Sequence, residues 1–185
     1  MRAGLQGTAV DVAEEEVVEP CDECGFVYDL AAASRAGQDI RAAADELAAL
    51  LTSSVDPPSR RTSPQLWSPL EYACHVRDVL LTQRERVLLA RRVQVPVAVP
   101  MGRDERVAHE GYAEQNPVEV AEELTMAARL LANALDRLDI ADWELRVAYN
   151  WPEHTERTLR WLAAHTLHDV RHHLLDVRRQ LPAAP

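Results

Sequence analysis

The chain lacks most of the marks of an exported or membrane-bound protein. Its 185 residues hold three cysteines, an odd number, and aromatic residues make up only 5%. Without a leading basic-then-apolar segment, so few cysteines argue against a disulfide framework and against secretion. No run of 18 apolar residues occurs, so no membrane-spanning helix is expected. Positive charge is also short, 20 basic against 30 acidic residues for a net −10. A phosphate-binding surface needs clustered cations, so nucleic acid is not an expected partner. Arg84, Arg86, Arg91 and Arg92 read instead as the solvated face of a helix. Neither a Walker loop, a GxGxxG turn nor a GxSxG elbow is present, which leaves nucleotide binding and serine hydrolysis without a motif. The expectation is a cytoplasmic protein of one domain with an irregular end.

What is present is helical sequence. Residues 1–28 are acidic, carry no sustained period and read as a solvated tail that holds Cys21 and Cys24. Ile40, Ala44, Leu47 and Leu51 then recur at helical spacing. The stretch "SSVDPPSRRTSPQ" is a loop, set by its three prolines. In "WSPLEY", Ser68 can cap, Pro69 suits the first helical position and Glu71 completes a capping box. Tyr72, Val76, Val79, Val87 and Ala90 make the apolar stripe of that helix, and Cys74 reads as a small core residue within it. The prolines of "VQVPVAVP" argue against a strand there. A second start signal, Asn116, Pro117 and Glu119, opens a helix with Val120, Leu124, Ala127, Leu131, Ala134 and Leu138 on one face. Residues 139–156 form a long connection with room for a short hairpin, and the last helix starts near Thr155–Thr158 and reaches Leu181. These features predict an all-α protein, a four-helix bundle over residues 29–182.

The chemistry concentrates in "HTLHDVRHHLLDV", which holds four of the seven histidines. Successive helical side chains advance by about 100°. On that wheel His173 lies about 80°, and Asp169 about 120°, from the stripe of Ala163, Leu167, Val170, Leu174 and Val177. His168 and His172 fall nearly opposite it, and His165 reads as a surface residue. His75 occupies the same shoulder position on its own helix as His173 does. Two shoulder residues on neighbouring helices can converge on a metal, as bundle cores commonly arrange; the other reading is a pair of hydrogen-bonded boundary residues. Cys21 and Cys24, in "CDECGF", have the form of a zinc-knuckle turn but supply two of the four ligands a structural zinc takes. A structural and a redox role both stay open. Trp67, Trp143, Trp151 and Trp161 read as core or pocket wall.

"EYACHVRDVL" and "LHDVRHHLLDV" together resemble the paired signature of the DinB/YfiT-like superfamily of metal-binding four-helix bundles. "CDECGF", "WSPLEY" and "YAEQNPVEVAEEL" resemble a set found in actinobacterial members, so the likeness covers roughly residues 20–180. The resemblance implies one ligand from the second helix, His75, whose HxxD pattern runs through Asp78. It implies two more from the last helix, Asp169 and His173, with Asp169 standing where relatives carry His or Glu. The alternative register uses His168 and His172. It further implies a divalent cation (zinc, nickel or iron) and, with mycothiol as co-substrate, transfer of a low-molecular-weight thiol to an electrophile. A metal-dependent hydrolase and a non-catalytic metal-binding or interaction bundle are the alternatives. Asp78 and Asp176 are candidates for orienting the ligating imidazoles. Bundles of this kind also form homodimers through their helix faces.

Overall fold

The structure, a computed structural model, describes residues 19–53, 57–149 and 154–181. The acidic stretch 1–18, Trp151 and Pro152 therefore lie outside the described residues. Five helices follow in order: α1 (Ala36–Ser53), α2 (Pro69–Ala90), α3 (Arg103–His109), α4 (Pro117–Leu135) and α5 (Leu159–Gln180). A two-stranded antiparallel hairpin, β1 (Arg146–Tyr149) with β2 (Thr155–Thr158), precedes α5. The four long helices form the predicted four-helix bundle. None of the described helices is long and apolar enough to cross a membrane.

The helix starts follow from local chemistry. Ser68 Oγ accepts from the Glu71 backbone N–H, and the Glu71 carboxylate accepts from the Ser68 N–H at 2.7 Å, so two otherwise orphaned donors are satisfied reciprocally. Ser68 is fully buried, which leaves no water to replace it. Ser68→Ala is expected to cost about 1 kcal/mol, read from the shift of the urea midpoint. Asn116 caps α4 by accepting from Val118 N–H at 2.9 Å and from Glu119 N–H. That cap is one-sided, not the box expected of Glu119. Thr158 caps α5 through Trp161 N–H. The last helix thus starts after Thr158, and Thr155–Thr158, read as its possible first turn, is strand instead.

Contacts between the helices fix the topology. Asp39 and Glu46 of α1 pair with Arg171 and Arg178 of α5, in the same order along both, so α1 and α5 run parallel. Arg41 near the start of α1 meets Asp136 just past the end of α4, so those two are antiparallel. Their backbones come close at Gly37, where a Cβ would stand 3.3 Å from Ala132 Cα. Gln180 at the end of α5 donates to the Trp67 carbonyl before α2, and Arg77 of α2 reaches Glu123 of α4. The directions are therefore up, down, down, up for α1, α2, α4 and α5. α1 and α2 each pack on α4 and on α5. Among the four long helices, the consecutive pairs α1–α2 and α4–α5 sit diagonally, and the parallel pair α2–α4 needs the long return over residues 91–116 that carries α3.

The core takes the predicted stripes, with Ile40, Leu47, Val76, Val87, Leu124, Leu131, Val170 and Val177 all at most 1% exposed. α3 had no apolar stripe to announce it and buries none of its residues. The segment "VQVPVAVP" makes a single parallel bridge, Val97 to Ala148, not a strand. Residues 21–28 do not trail away from the bundle. Phe26 stacks on His168 of α5 and Tyr28 on Trp161.

Candidate metal centre

α2 and α5 run antiparallel and bring His75, Asp169 and His173 together, with one donor atom from each lying within 4.8 Å of the others. The spacing of α5 does this locally: residues 169 and 173 are one helical turn apart, so their side chains stack on one face. His173 Nε2 stands 3.7 Å from Asp169 Oδ1. On its other side, His173 Nδ1 donates to Asp176 Oδ2 at 3.0 Å, which leaves the Nε2 lone pair directed at the cluster. Asp176 thus orients a candidate ligand as expected. Asp78 does not, because its oxygens are taken by Arg77, Arg106 and Tyr112.

His75 is 5% exposed, and its Nδ1 is buried with no hydrogen-bond partner. Burial, helped by His173, pushes its pKa down to about 4, so the imidazole is neutral near pH 7 and free to ligate. A buried polar atom without a partner costs about 1–3 kcal/mol, and a cation would satisfy it. Two imidazoles and a carboxylate are a donor set for zinc, nickel or iron, and three protein ligands leave a coordination position open. The rings of Trp67 and Tyr72 flank the cluster, at 5.2 Å from His75 and 5.1 Å from His173.

Asp169 also lines a cavity of about 160 Å3, together with Val79, Arg86, Met101, Tyr149 and His165. Arg86 is held in its wall by Tyr149, Gln83 and the Val99 carbonyl. His165, read from the wheel as a surface residue, is half-buried here: it stacks on Trp161 at 4.4 Å and bonds the Tyr28 hydroxyl. The 19–28 segment covers it, which no helical periodicity can reveal. Sequence reasoning missed Arg86, taking it as solvated face, because Tyr149 and Val99 reach it from other segments. Cys74 is buried as expected, and burial pushes its thiol up to about 12.

His168 and His172 do not join this cluster. They point about 100° away around α5, and one donor atom from each lies within 4.8 Å of the thiols of Cys21 and Cys24. The two registers weighed for α5 are therefore both occupied by side-chain clusters, on adjacent faces of the helix. The signal in the sequence was the match of C-x2-C with H-x3-H, the spacing of a four-ligand zinc site.

Residues 32–177 match the family model described as the DinB superfamily. Among solved structures, the chain is similar in fold to YfiT from Bacillus subtilis, with a TM-score of 0.67 and 15% sequence identity over 89% of this chain and 93% of that one. YfiT is described as a probable metal-dependent hydrolase with an unusual four-helix bundle topology. No curated protein matches the sequence. The family match spans most of the bundle and both halves of the His75, Asp169 and His173 cluster, and the chain belongs to the DinB superfamily.

Proposed function

We propose that the chain is a metal-dependent enzyme that transfers a low-molecular-weight thiol of the mycothiol type to an electrophile, with His75, Asp169 and His173 as the metal ligands. The observation that carries this reading is a three-residue donor set, one short of a closed tetrahedral site, next to a cavity with an arginine in its wall. A divalent cation held there supplies Lewis acidity, which lowers the pKa of a thiol that reaches it and makes the thiolate available at neutral pH. The chain's own side chains do the rest. Asp176 keeps His173 in one tautomer and orientation. Val79, Ala98 and Met101 give the cavity an apolar wall against which an electrophile is held away from water. Arg86, fixed by three acceptors, places a positive charge where an anionic group of either substrate can pair.

The cavity volume favours a second reading. At about 160 Å3 it is smaller than the roughly 300–1,000 Å3 of most ligand sites, so the space suits a small hydrolysable substrate with water as the nucleophile. The description of YfiT points the same way.

One experiment separates them. The untagged protein is stripped with a chelator, reloaded with zinc, nickel or ferrous iron, and given a small electrophile with and without mycothiol. Metal-dependent conjugation that requires the thiol is the expected result. Metal-dependent loss of substrate without the thiol would replace transfer by hydrolysis. An intact bundle that takes up no metal at the His75 cluster would remove both in favour of a binding module.

A further inference from the structure

Two side chains of α5 and two of the turn packed against it form a second cluster that the proposed reaction does not use. Cys21 and Cys24 sit in a tight turn: Gly25 N–H donates to the Cys21 carbonyl at 2.7 Å and Cys21 N–H to the Phe26 carbonyl at 3.0 Å. Gly25 takes φ +71° to close it, a conformation that a side chain would disfavour. Both thiols are free and only partly exposed. Opposite them, His168 and His172 are one turn apart on α5, and one donor atom from each of the four residues lies within 4.8 Å of the others. A tetrahedral zinc with sulfur at about 2.3 Å and nitrogen at about 2.0 Å sets its donors about 3.3–3.8 Å apart. Cys21 Sγ and His172 Nδ1 stand at 3.7 Å.

The imidazoles are prepared on their far sides. His172 Nε2 lies 3.3 Å from the Glu23 carboxylate and 3.8 Å from that of Asp176, which favour a proton on Nε2 and leave the Nδ1 lone pair facing Cys21. His168 Nδ1 lies 2.9 Å from the Tyr28 hydroxyl, and that hydroxyl lies 3.0 Å from His165 Nδ1. The chain of bonds can run in either direction, and in one of them His168 donates to Tyr28 and Tyr28 donates to His165. His168 Nε2 is then a lone pair, and it is buried without a partner. Glu23 and Tyr28 both come from the segment that carries the thiols, so one eight-residue stretch supplies two ligands and contacts the other two.

From this geometry we propose that Cys21, Cys24, His168 and His172 bind a structural zinc ion, distinct from the metal of the His75 cluster. Two thiolates and two imidazoles in tetrahedral reach select zinc among the common divalent ions. Four protein ligands close the site, so it has no position for substrate. Binding releases the two thiol protons to solvent, and the two thiolates neutralise the dication. The ion ties residue 21 to residue 172 across the chain, which stabilises most when the closed loop is long. It also fixes the face of α5 adjacent to Asp169 and His173.

The test is metal stoichiometry on the untagged full chain, by mass spectrometry, together with cobalt substitution. The wild type should hold two metal equivalents, and its cobalt form should show a thiolate-to-cobalt charge-transfer band. Cys24→Ser should lose one equivalent and the band. His75→Leu should lose one equivalent and keep the band, so failure at one cluster is not mistaken for failure at the other. As a check that needs no variant, the two thiols of the zinc-loaded wild type should resist alkylation and react once a strong chelator is added. A wild-type cobalt form without the band overturns the proposal. So does a metal-free protein two hydrogens lighter than the reduced chain, which would show a Cys21–Cys24 disulfide.

Discussion

His75→Leu should lower metal affinity at the His75, Asp169 and His173 cluster by more than about 100-fold, since a partner that only orients a ligand is already worth 10–100-fold. The same substitution should leave the metal-free protein as stable as the wild type or more so. The reason is the environment of His75, 5% exposed, with Nδ1 buried and unpartnered. In the absence of metal the fold bears the cost of that atom, and leucine fills similar space without it. Metal uptake and urea unfolding of the stripped protein, measured side by side, decide the matter. A boundary histidine with a structural task would show the reverse: lower stability and unchanged metal uptake.

The second large effect concerns stability. Asp78→Ala should cost about 3–5 kcal/mol, the range for breaking a buried ion pair by removing one partner, against a total of roughly 5–15 kcal/mol for a typical domain. Asp78 is 5% exposed and accepts from Arg77 and Arg106 at 2.9 Å and from Tyr112 at 2.5 Å. Those partners lie on α2, on α3 and just before α4, so one carboxylate ties the long return between α2 and α4 to the bundle. Removing it leaves Arg77, itself 8% exposed, to Glu123 and Gln115 alone. An exposed pair would cost less than about 1 kcal/mol, so a loss that small would contradict this account.

Acidity offers a check on the same group. Burial alone would raise the Asp78 pKa, but the Tyr112 and Arg77 hydrogen bonds outweigh it and hold the carboxyl below its ordinary value of 3.8. The unfolded chain therefore takes up this proton first as pH falls. The stability from Asp78 is complete above the ordinary carboxylate range and is lost as pH drops through the lowered folded value. Below about pH 4, the gap in stability between wild type and Asp78→Ala should narrow.

Helix existence and facing were legible because they are local. The Ser68–Pro69–Glu71 and Asn116–Pro117 signals mark where chain direction is set, and the apolar stripes mark what is buried. The shoulder positions of His75, Asp169 and His173 followed from the same wheel, and the structure brings their donor atoms together. Long-range features were not legible. The exposure of His165 depends on Tyr28, well over a hundred residues away, and the partners of Asp78 come from α3 and its following turn, which carry no periodic pattern. The cysteine pair looked incomplete because its complement lies on the last helix, where the same histidines competed as ligands for the other cluster. Two interleaved pairs offset by one residue were weighed as alternatives, yet adjacent faces of one helix meet different neighbours, and each pair has its own.

The diagonal placement of consecutive helices has a consequence for the order of events during synthesis. α1 and α2 pack mainly on α4 and α5 and only slightly on each other, so the first two helices leave the ribosome with uncovered apolar faces. α4 gives both of them a partner, and α5 closes the bundle last. Both donor clusters draw two residues from α5. A chain interrupted before α5 therefore offers a metal ion one imidazole on one side and two bare thiols on the other, and synthesis of α5 precedes metal capture at either cluster.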